Sequence, residues 1–383
     1  MKLHSRACAL ALASLTAISL LVSGCSSGAS GGGETTDVVL DPADLKTEIL
    51  TVNPDGVKPE SLEDVKISDE QCEAAKAAGF TVGVAMHFMS NEVPQNQVKG
   101  MKEVFEKCGV EVVSVTDANF SVVQQTADVE NMIQLAPDGI ISVPTDGTAM
   151  GAAYKGVQAA GIKLVLSDIY VDGLKAGVDY TSLVGSDIRS AGQIAGQAAA
   201  AYVPKDGTMG FVDFGVEFFA TNERTTGAQE WVTKNRPDIT QKVVEFTDTA
   251  KVEQPAGDFL TANPGVDALY TVWDGPAQQV MSALRGQGLT VPVTTVDLGT
   301  DVALEMAKGG LIKAVGAQLP FEEGNAQAYV MIRTLLGEDV PVYVVTPSIP
   351  VVPANLTEGW NRVWRADPPK EIAEACDANP NCN

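Results

Sequence analysis

Residues 138–168 decide the fold, and they read DGIISVPTDGTAMGAAYKGVQAAGIKLVLSD. Two short apolar runs, Gly139–Val143 and Lys163–Ser167, have the composition of strands that are covered on both faces. The residues between them predict a helix over Ala149–Ala160. A strand, a helix and a second strand in this order form a unit whose two strands run parallel.

The same alternation extends toward the N-terminus. The predicted elements there are strands Phe80–Met86 and Val110–Val115 and helices Gln97–Lys107 and Ser121–Leu135. In the second of these helices Val122, Val129 and Ile133 fall on one face, as in an amphipathic helix. Before residue 80 the chain is acidic and contains scattered prolines, with one further predicted helix at Asp69–Ala78.

Toward the C-terminus the alternation starts again after residue 188. Helices are predicted at Arg189–Tyr202, Asn222–Asn235, Glu253–Ala262, Pro276–Gly286, Asp301–Lys308 and Phe321–Leu336, and strands at Thr208–Asp213, Lys242–Phe246, Ala268–Val272, Val293–Val296 and Ile312–Ala317. A chain of 383 residues exceeds what one compact core usually holds. The predicted fold class is therefore α/β, with two doubly wound parallel-sheet lobes and a ligand site in the cleft between them.

The N-terminus predicts export and lipid attachment. Lys2 and Arg6 precede an uncharged apolar run over residues 7–22, and residues 21–25 read LVSGC. This pattern is typical of a lipoprotein signal whose cysteine, Cys25, becomes the lipidated N-terminus. A membrane-spanning anchor is the alternative, but the run is shorter than the roughly 20 residues that such a helix needs. We expect a chain held on the outer face of the cell membrane, with a flexible tether over residues 26–33.

The remaining cysteines and the net charge agree with this compartment. Four cysteines lie beyond the predicted lipid site, namely Cys72, Cys108, Cys376 and Cys382. An even number in an exported chain predicts two disulfides, and we favour Cys72–Cys108 and Cys376–Cys382 among the three possible pairings. No metal site or cofactor motif is predicted. The formal net charge of −23 argues against nucleic acid as a partner.

Polar residues recur at the ends of the predicted strands. Asp168, Asp274, Asp297 and Gln318 follow strands, Asn91 and Asn119 lie in the first two strand–helix loops, and Asn222 and Arg224 begin a helix. Amides and carboxylates that converge on a cleft suit a ligand with several hydroxyl groups. His87, Phe88 and Trp273 lie beside them, and the two larger rings could pack against the C–H face of a sugar. A helix N-cap is the alternative role for each strand-end aspartate.

Catalysis is the weaker interpretation, and no catalytic residue is predicted. His87 is the one histidine after the predicted signal, and no nucleophile or phosphate-loop motif accompanies it.

At these residues the chain resembles a known family, the type I periplasmic binding proteins for ribose, galactose and related ligands. The stretches that carry the resemblance are residues 82–100, 138–168, 182–197, 222–231, 271–288, 294–301 and 314–324. The resemblance implies three crossover segments, near Val184–Ser186, Gly316–Gln318 and Val344–Thr346. It also implies that Asp168, Asp297 and Gln318 bind ligand, and that the partner is a membrane permease of an ABC importer.

The implied domains are a signal peptide at 1–24, a tether and extension at 25–79, and two discontinuous lobes. The first lobe would comprise residues 80–184 and 318–345, and the second residues 185–317 and 346–383. Because one closing cleft needs no second copy of the chain, we expect a monomer.

Departures from the family pattern bear on the ligand. Ile169 and Asn222 occupy positions where the family commonly has arginine, whereas Arg224 is retained. Arginine side chains donate two hydrogen bonds to adjacent oxygens of a sugar ring. The loss of these arginines therefore favours a sugar alcohol or an unusual sugar over an ordinary ring aldose. Two other functions stay open at this point: presentation of a ligand to a sensor kinase or chemoreceptor, and an exported sugar-modifying enzyme.

Overall fold

The computed structural model describes residues 38–45, 48–53, 55–216 and 218–383, and residues 39–383 form one compact unit. The strands are β1 (Glu60–Ser61), β2 (Thr81–Met86), β3 (Glu111–Asp117), β4 (Gly139–Ser142), β5 (Lys163–Ser167), β6 (Ser182–Ser186), β7 (Thr208–Phe214), β8 (Thr240–Phe246), β9 (Ala268–Thr271), β10 (Val293–Val296), β11 (Ile312–Ala317), β12 (Tyr343–Thr346) and β13 (Ile349–Val351). The predicted signal sequence, Cys25 and the tether lie outside the described residues.

Thirteen α-helices connect or follow these strands in the described part of the chain. They are α1 (Leu62–Val65), α2 (Asp69–Ala78), α3 (Glu92–Lys107), α4 (Val122–Leu135), α5 (Gly151–Ala159), α6 (Ile188–Ala201), α7 (Phe219–Asn235), α8 (Glu253–Ala262), α9 (Asp274–Gly286), α10 (Thr300–Ala307), α11 (Pro320–Leu335), α12 (Leu356–Trp364) and α13 (Lys370–Asp377). None of the helices within the described ranges has both the length and the apolar character needed to cross a bilayer.

The strands form two sheets, and each sheet is the centre of one lobe. The seven-stranded sheet of the first lobe has the order β1-β12-β6-β5-β4-β2-β3, with every pair parallel. The six-stranded sheet of the second lobe has the order β13-β11-β10-β9-β7-β8, in which only β13 is antiparallel. The predicted α/β class with two parallel-sheet lobes is confirmed, because buried helices of both lobes cover sheets whose strands are themselves largely buried.

Three chain segments pass between the lobes. The chain leaves the first sheet after β6, returns after β11 and leaves again after β12 to form β13 in the second sheet. These are the three crossovers that the family resemblance implies. The residues at which each lobe begins and ends remain a prediction.

The described residues before the first predicted strand pack against the lobes. Residues 39–45 and 48–53, which we call the N-terminal strap, lie on the second lobe, where Leu45 is buried in a small cluster with Ile194, Ala198, Ala314 and Val352. The backbone amides of Leu50 and Thr51 donate to the Asp187 carboxylate over 2.9 and 3.2 Å. The chain then joins the first lobe, because β1 pairs with β12 and α1 packs on α11. This segment therefore contacts both lobes beside the crossover after β6.

Several predicted helix starts were wrong. Helix α3 begins at Glu92, not Gln97, because Asn91 caps it and Pro94 lies in the first turn, where a missing amide proton costs nothing. Helix α7 begins at Phe219, three residues before the predicted start, and α12 and α13 were not predicted.

Both disulfides have the favoured pairing. Cys72 of α2 is bonded to Cys108 at the end of α3, and Cys376 of α13 is bonded to Cys382. The first closes a loop with a sequence separation of 36 residues, for which chain entropy predicts a stabilisation of about 4 kcal/mol. It fastens the segment before β2 to the first lobe.

Candidate functional site

Two aspartates lie at equivalent positions in the two lobes. Asp168 follows β5 and Asp297 follows β10, and both have a left-handed backbone, with φ values of 60° and 69°. Each backbone amide donates to the next strand of its sheet, Asp168 to the Val184 carbonyl (3.0 Å) and Asp297 to the Gly316 carbonyl (3.2 Å). A left-handed backbone is unfavourable for a residue with a Cβ atom and is typically retained where function requires it. Both turns lie at the carboxyl ends of parallel strands, where ligands bind in this class of fold.

Asp297 is the centre of a charged cluster in the second lobe. Arg224 of α7 forms an ion pair with it, with Nη1 3.1 Å from Oδ2. Gln318, which follows β11, donates from Nε2 to Asp297 Oδ1 over 2.6 Å. The Arg224 side chain is 10% exposed, and its Nε has no hydrogen-bond partner among the described residues. A buried donor without a partner leaves one hydrogen bond available to a bound molecule.

Asp274 lies beside this cluster at the first residue of α9. Burial and the nearby Asp297 carboxylate raise the pKa of Asp274 to about 7. The preceding residue, Trp273, packs its ring against Phe214 and Phe246, with both ring centroids 5.5 Å away. Trp273 thus belongs to an aromatic cluster with Phe214 and Phe246.

Asp168 belongs to a buried polar network in the first lobe. Gln97 of α3 donates from Nε2 to Asp168 Oδ2 over 3.1 Å, and the Ser167 hydroxyl donates to the same oxygen over 3.1 Å. The second amide proton of Gln97 is donated to Oε1 of Glu323 in α11 over 2.8 Å, and this oxygen also lies 3.3 Å from the Ser167 hydroxyl oxygen. Burial and the adjacent Asp168 carboxylate raise the pKa of Glu323 well above its usual range.

The charge of Arg224 acts across the two clusters. The positive charge of Arg224, in the second lobe, lowers the pKa of Asp168, in the first, although burial outweighs it and raises that pKa overall. Asp168, Arg224, Asp297 and Gln318 are therefore four predicted site residues that the fold brings together.

His87 and Phe88 form a separate aromatic group after β2. The Phe88 ring stacks on Phe120, with centroids 4.3 Å apart and planes 21° apart, and His87 meets both rings edge-on. Burial lowers the pKa of His87 to about 4, and its Nδ1 is buried without a partner among the described residues. His87 is consequently a neutral imidazole with one ring nitrogen available.

The remaining predicted site residues are Asn91, Asn119 and Asn222. Asn91 is exposed, and its side chain accepts from the Val93 amide over 3.1 Å, which is the capping role that competes with ligand binding. Asn119 is exposed in a loop with a φ of 46°, and Asn222 is half-buried two residues before Arg224. No contact described in the structure joins Asn91 or Asn119 to the two clusters.

Sequence reasoning missed Gln97, Glu323 and Phe120. Gln97 carried a usable signal, because it falls between Asn96 and Val98 on the buried side of an amphipathic helix. Glu323 carried none, since acidic residues are abundant along the whole chain.

Known proteins resemble this chain over most of its length. Residues 82–339 match the periplasmic binding protein domain family. The ribose import binding protein of Bacillus subtilis is 26% identical over 268 residues, which cover 70% of this chain and 86% of that protein. The D-xylose-binding periplasmic protein of Escherichia coli is 25% identical over 306 residues, covering 72% of this chain and 87% of that protein.

Solved structures agree in fold. A periplasmic ribose ABC transporter protein from Conexibacter woesei has a TM-score of 0.67 at 19% identity, covering 74% of this chain and 97% of that chain. An ABC transporter solute-binding protein from Mycobacterium smegmatis, solved with glycerol, has a TM-score of 0.64 at 24% identity, covering 73% of this chain and 96% of that chain.

Proposed function

The chain belongs to the periplasmic binding protein domain family, and from that premise we propose that it is the solute-binding protein of an ABC importer for a small polyhydroxylated carbohydrate. One observation carries the proposal most directly. Carboxylates at matching strand ends of the two lobes, Asp168 and Asp297, each accept hydrogen bonds from neighbouring donors, and the charge of Arg224 acts on both. Such paired acceptors can receive the hydroxyl groups of a sugar from both sides.

The mechanism would be closure of the two lobes about the three crossovers. Ligand would bind to one lobe first, and the other lobe would complete its hydrogen bonds. The closed form would then be recognised by the membrane permease, and the protein would perform no chemistry on the ligand. Relatives named for ribose import and D-xylose binding support this role.

A sugar alcohol or an unusual sugar is the ligand class we favour. Arg224 is the one arginine retained of those that the family commonly places here, and Ile169 leaves an apolar side chain directly after Asp168. An arginine side chain donates two hydrogen bonds in a fixed geometry, which suits adjacent oxygens of a sugar ring. A site with fewer arginines suits a flexible, linear polyol better. Lipid attachment at Cys25, export, and a monomeric state belong to the same proposal.

A thermal-shift screen tests the function. The chain from residue 26 contains the entire compact unit and would be screened against tetritols, pentitols, hexitols, aldoses, amino acids and nucleosides. Binding to the folded state raises the melting temperature by mass action, and we expect the largest rise with a polyol. The rise should be lost in Asp168→Ala and Asp297→Ala, but kept in Asp301→Ala, which changes an exposed aspartate of α10.

The outcomes separate the parts of the proposal. A response to an ordinary aldose alone would keep the transport role and remove the preference for polyols. A response to amino acids or nucleosides with none to any carbohydrate would refute the ligand class.

A further inference from the structure

Glu323 is buried at a place where a charged side chain is costly. It lies in the first turn of α11, is 2% exposed and has neutral hydrogen-bond donors on both carboxyl oxygens. Oε1 accepts from Gln97 (2.8 Å) and Gln327 (3.3 Å) and lies 3.3 Å from the Ser167 hydroxyl oxygen, and Oε2 accepts from Ser186 (2.6 Å). These partners come from α3, β5, β6 and α11, so the side chain is held from four elements.

The charges around Glu323 favour its neutral form. Asp168 is the ionisable group in contact with it, and Gln97 and Ser167 bridge the two carboxyl groups. Arg224, the cation acting on Asp168, is itself paired with Asp297. The preceding residue, Glu322, faces away and pairs with Arg362 and Arg365. Two adjacent buried carboxyl groups without a dedicated cation retain one proton between them.

We propose that Glu323 is a positioning residue for ligand binding: its protonated carboxyl group donates a hydrogen bond to the Asp168 carboxylate and fixes that carboxylate toward the cleft. Three donors, from Gln97, Ser167 and Glu323, then hold Asp168 from one side. A carboxylate held in this way loses little conformational freedom when a ligand hydroxyl group binds to it. The role in binding rests on the proposed function, whereas the proton-sharing contact exists without any ligand.

The pH dependence of unfolding tests the contact without a ligand. A carboxyl group that keeps its proton in the folded state binds more protons there than in the unfolded chain, so stability falls as pH rises above about 4. Glu323→Gln keeps a hydrogen-bond donor but cannot ionise. We therefore expect its free energy of unfolding to fall less between pH 5 and 8 than that of the unchanged chain. Glu322→Gln is the matched control, because it removes the neighbouring carboxyl group and should leave the pH profile unchanged. Identical profiles for Glu323→Gln and the unchanged chain would overturn the proposal.

Infrared spectroscopy provides a second readout at neutral pH. The unchanged chain should show the carbonyl band of protonated carboxylic acids, and the band should be weaker in Glu323→Gln, where Asp274, whose pKa is about 7, still contributes. A band of equal intensity in the two chains, or no band in the unchanged chain, would assign the proton elsewhere.

Binding of ribitol and of D-ribose, each measured by calorimetry, tests the positioning role. Glu323→Gln should bind within about threefold of the unchanged chain, and Glu323→Leu, which has no donor, should bind at least about tenfold more weakly. Equal affinities for the two variants would overturn the role of Glu323. If neither probe binds to the unchanged chain, the two variants are compared with the carbohydrate that gives the largest thermal shift, and the infrared and pH measurements still decide whether the contact exists.

Discussion

At the scale of the residue, Asp297 compensates a buried cation. Arg224 and Asp297 are 10% and 18% exposed in their side chains and lie 3.1 Å apart. Asp297→Ala would leave the guanidinium buried without its counter-ion, and we expect a loss of about 2 kcal/mol in the free energy of unfolding, toward the low end for a buried pair because the site is partly solvated. Urea unfolding without ligand measures it, with Asp301→Ala as the control. A change below about 0.5 kcal/mol would show that solvent replaces the carboxylate.

His87 gives a prediction for the acid side of the pH range. Burial lowers its pKa from 6.5 to about 4, so the unfolded chain binds a proton more readily than the folded one in this window. Stability should therefore fall as pH drops from about 6.5 to about 4, and His87→Gln should reduce the fall. Because it is the one histidine after residue 25, its imidazole resonances can be followed by NMR without assignment. A midpoint near 6.5 would contradict burial of the ring.

The strand-end residues were predictable from sequence, and the supporting residues were not. Asp168, Asp297 and Gln318 directly follow apolar strands, and the end of a parallel strand fixes where such a side chain lies. Glu323 becomes important only because α11 packs against α3 and places it beside Asp168, a contact between residues 155 positions apart. Asn91 shows the converse. It was predicted to bind ligand, but its side chain caps the first turn of its own helix.

At the scale of the element, the N-terminal strap is the least expected part of the fold. Alternation of strands and helices identified the regular units, but a strap without periodicity gives no such signal. It docks through Leu45, which is 6% exposed, and through two amides on Asp187. The strand β1 is equally invisible to periodicity, since it has two residues.

Leu45→Ala should release the strap. Removing a buried leucine costs about 2–5 kcal/mol, and we expect the low end because the cluster is small. Local opening should then speed amide hydrogen exchange at Leu50 and Thr51 by more than about tenfold and leave the central strands protected. Val39→Ala is the control, since Val39 is 75% exposed. Equal exchange in both variants would mean that the Asp187 contacts alone hold the strap.

At the scale of the whole molecule, side chains near the crossovers connect the lobes. Glu322 of α11 lies 3.3 Å from Arg362 and 3.2 Å from Arg365, at the end of α12. Tyr170, after β5, meets the Phe219 ring of α7 edge-on at 5.6 Å. These contacts stabilise the arrangement of lobes seen in the structure relative to a more open one.

Replacing both arginines by alanine should shift that balance. Two partly exposed ion pairs contribute together about 1 kcal/mol, or about a fivefold change in the ratio of the two arrangements. Distances between spin labels at the exposed residues Val123 and Val243, one on each lobe, should lengthen on average. Lys370→Ala, which breaks an ion pair inside α13, is the control and should leave the distances unchanged. Unchanged distances in the double variant would show that these pairs do not restrain the lobes.

The pairing of β1 with β12 also means that the first sheet can be completed only late in biosynthesis. Glu60 and Ser61 can pair only after Val344 and Val345 have been synthesised. The N-terminal strap can form its hydrogen bonds to Asp187 only after Asp187 has been synthesised. Both sheets are assembled from separate stretches of chain, so neither is complete in a nascent polypeptide that lacks its last 40 residues or so. A chain that emerges N-terminus first thus carries no finished lobe until synthesis is nearly over. An export route that threads unfolded polypeptide through a pore would encounter a substrate whose two sheets are still incomplete.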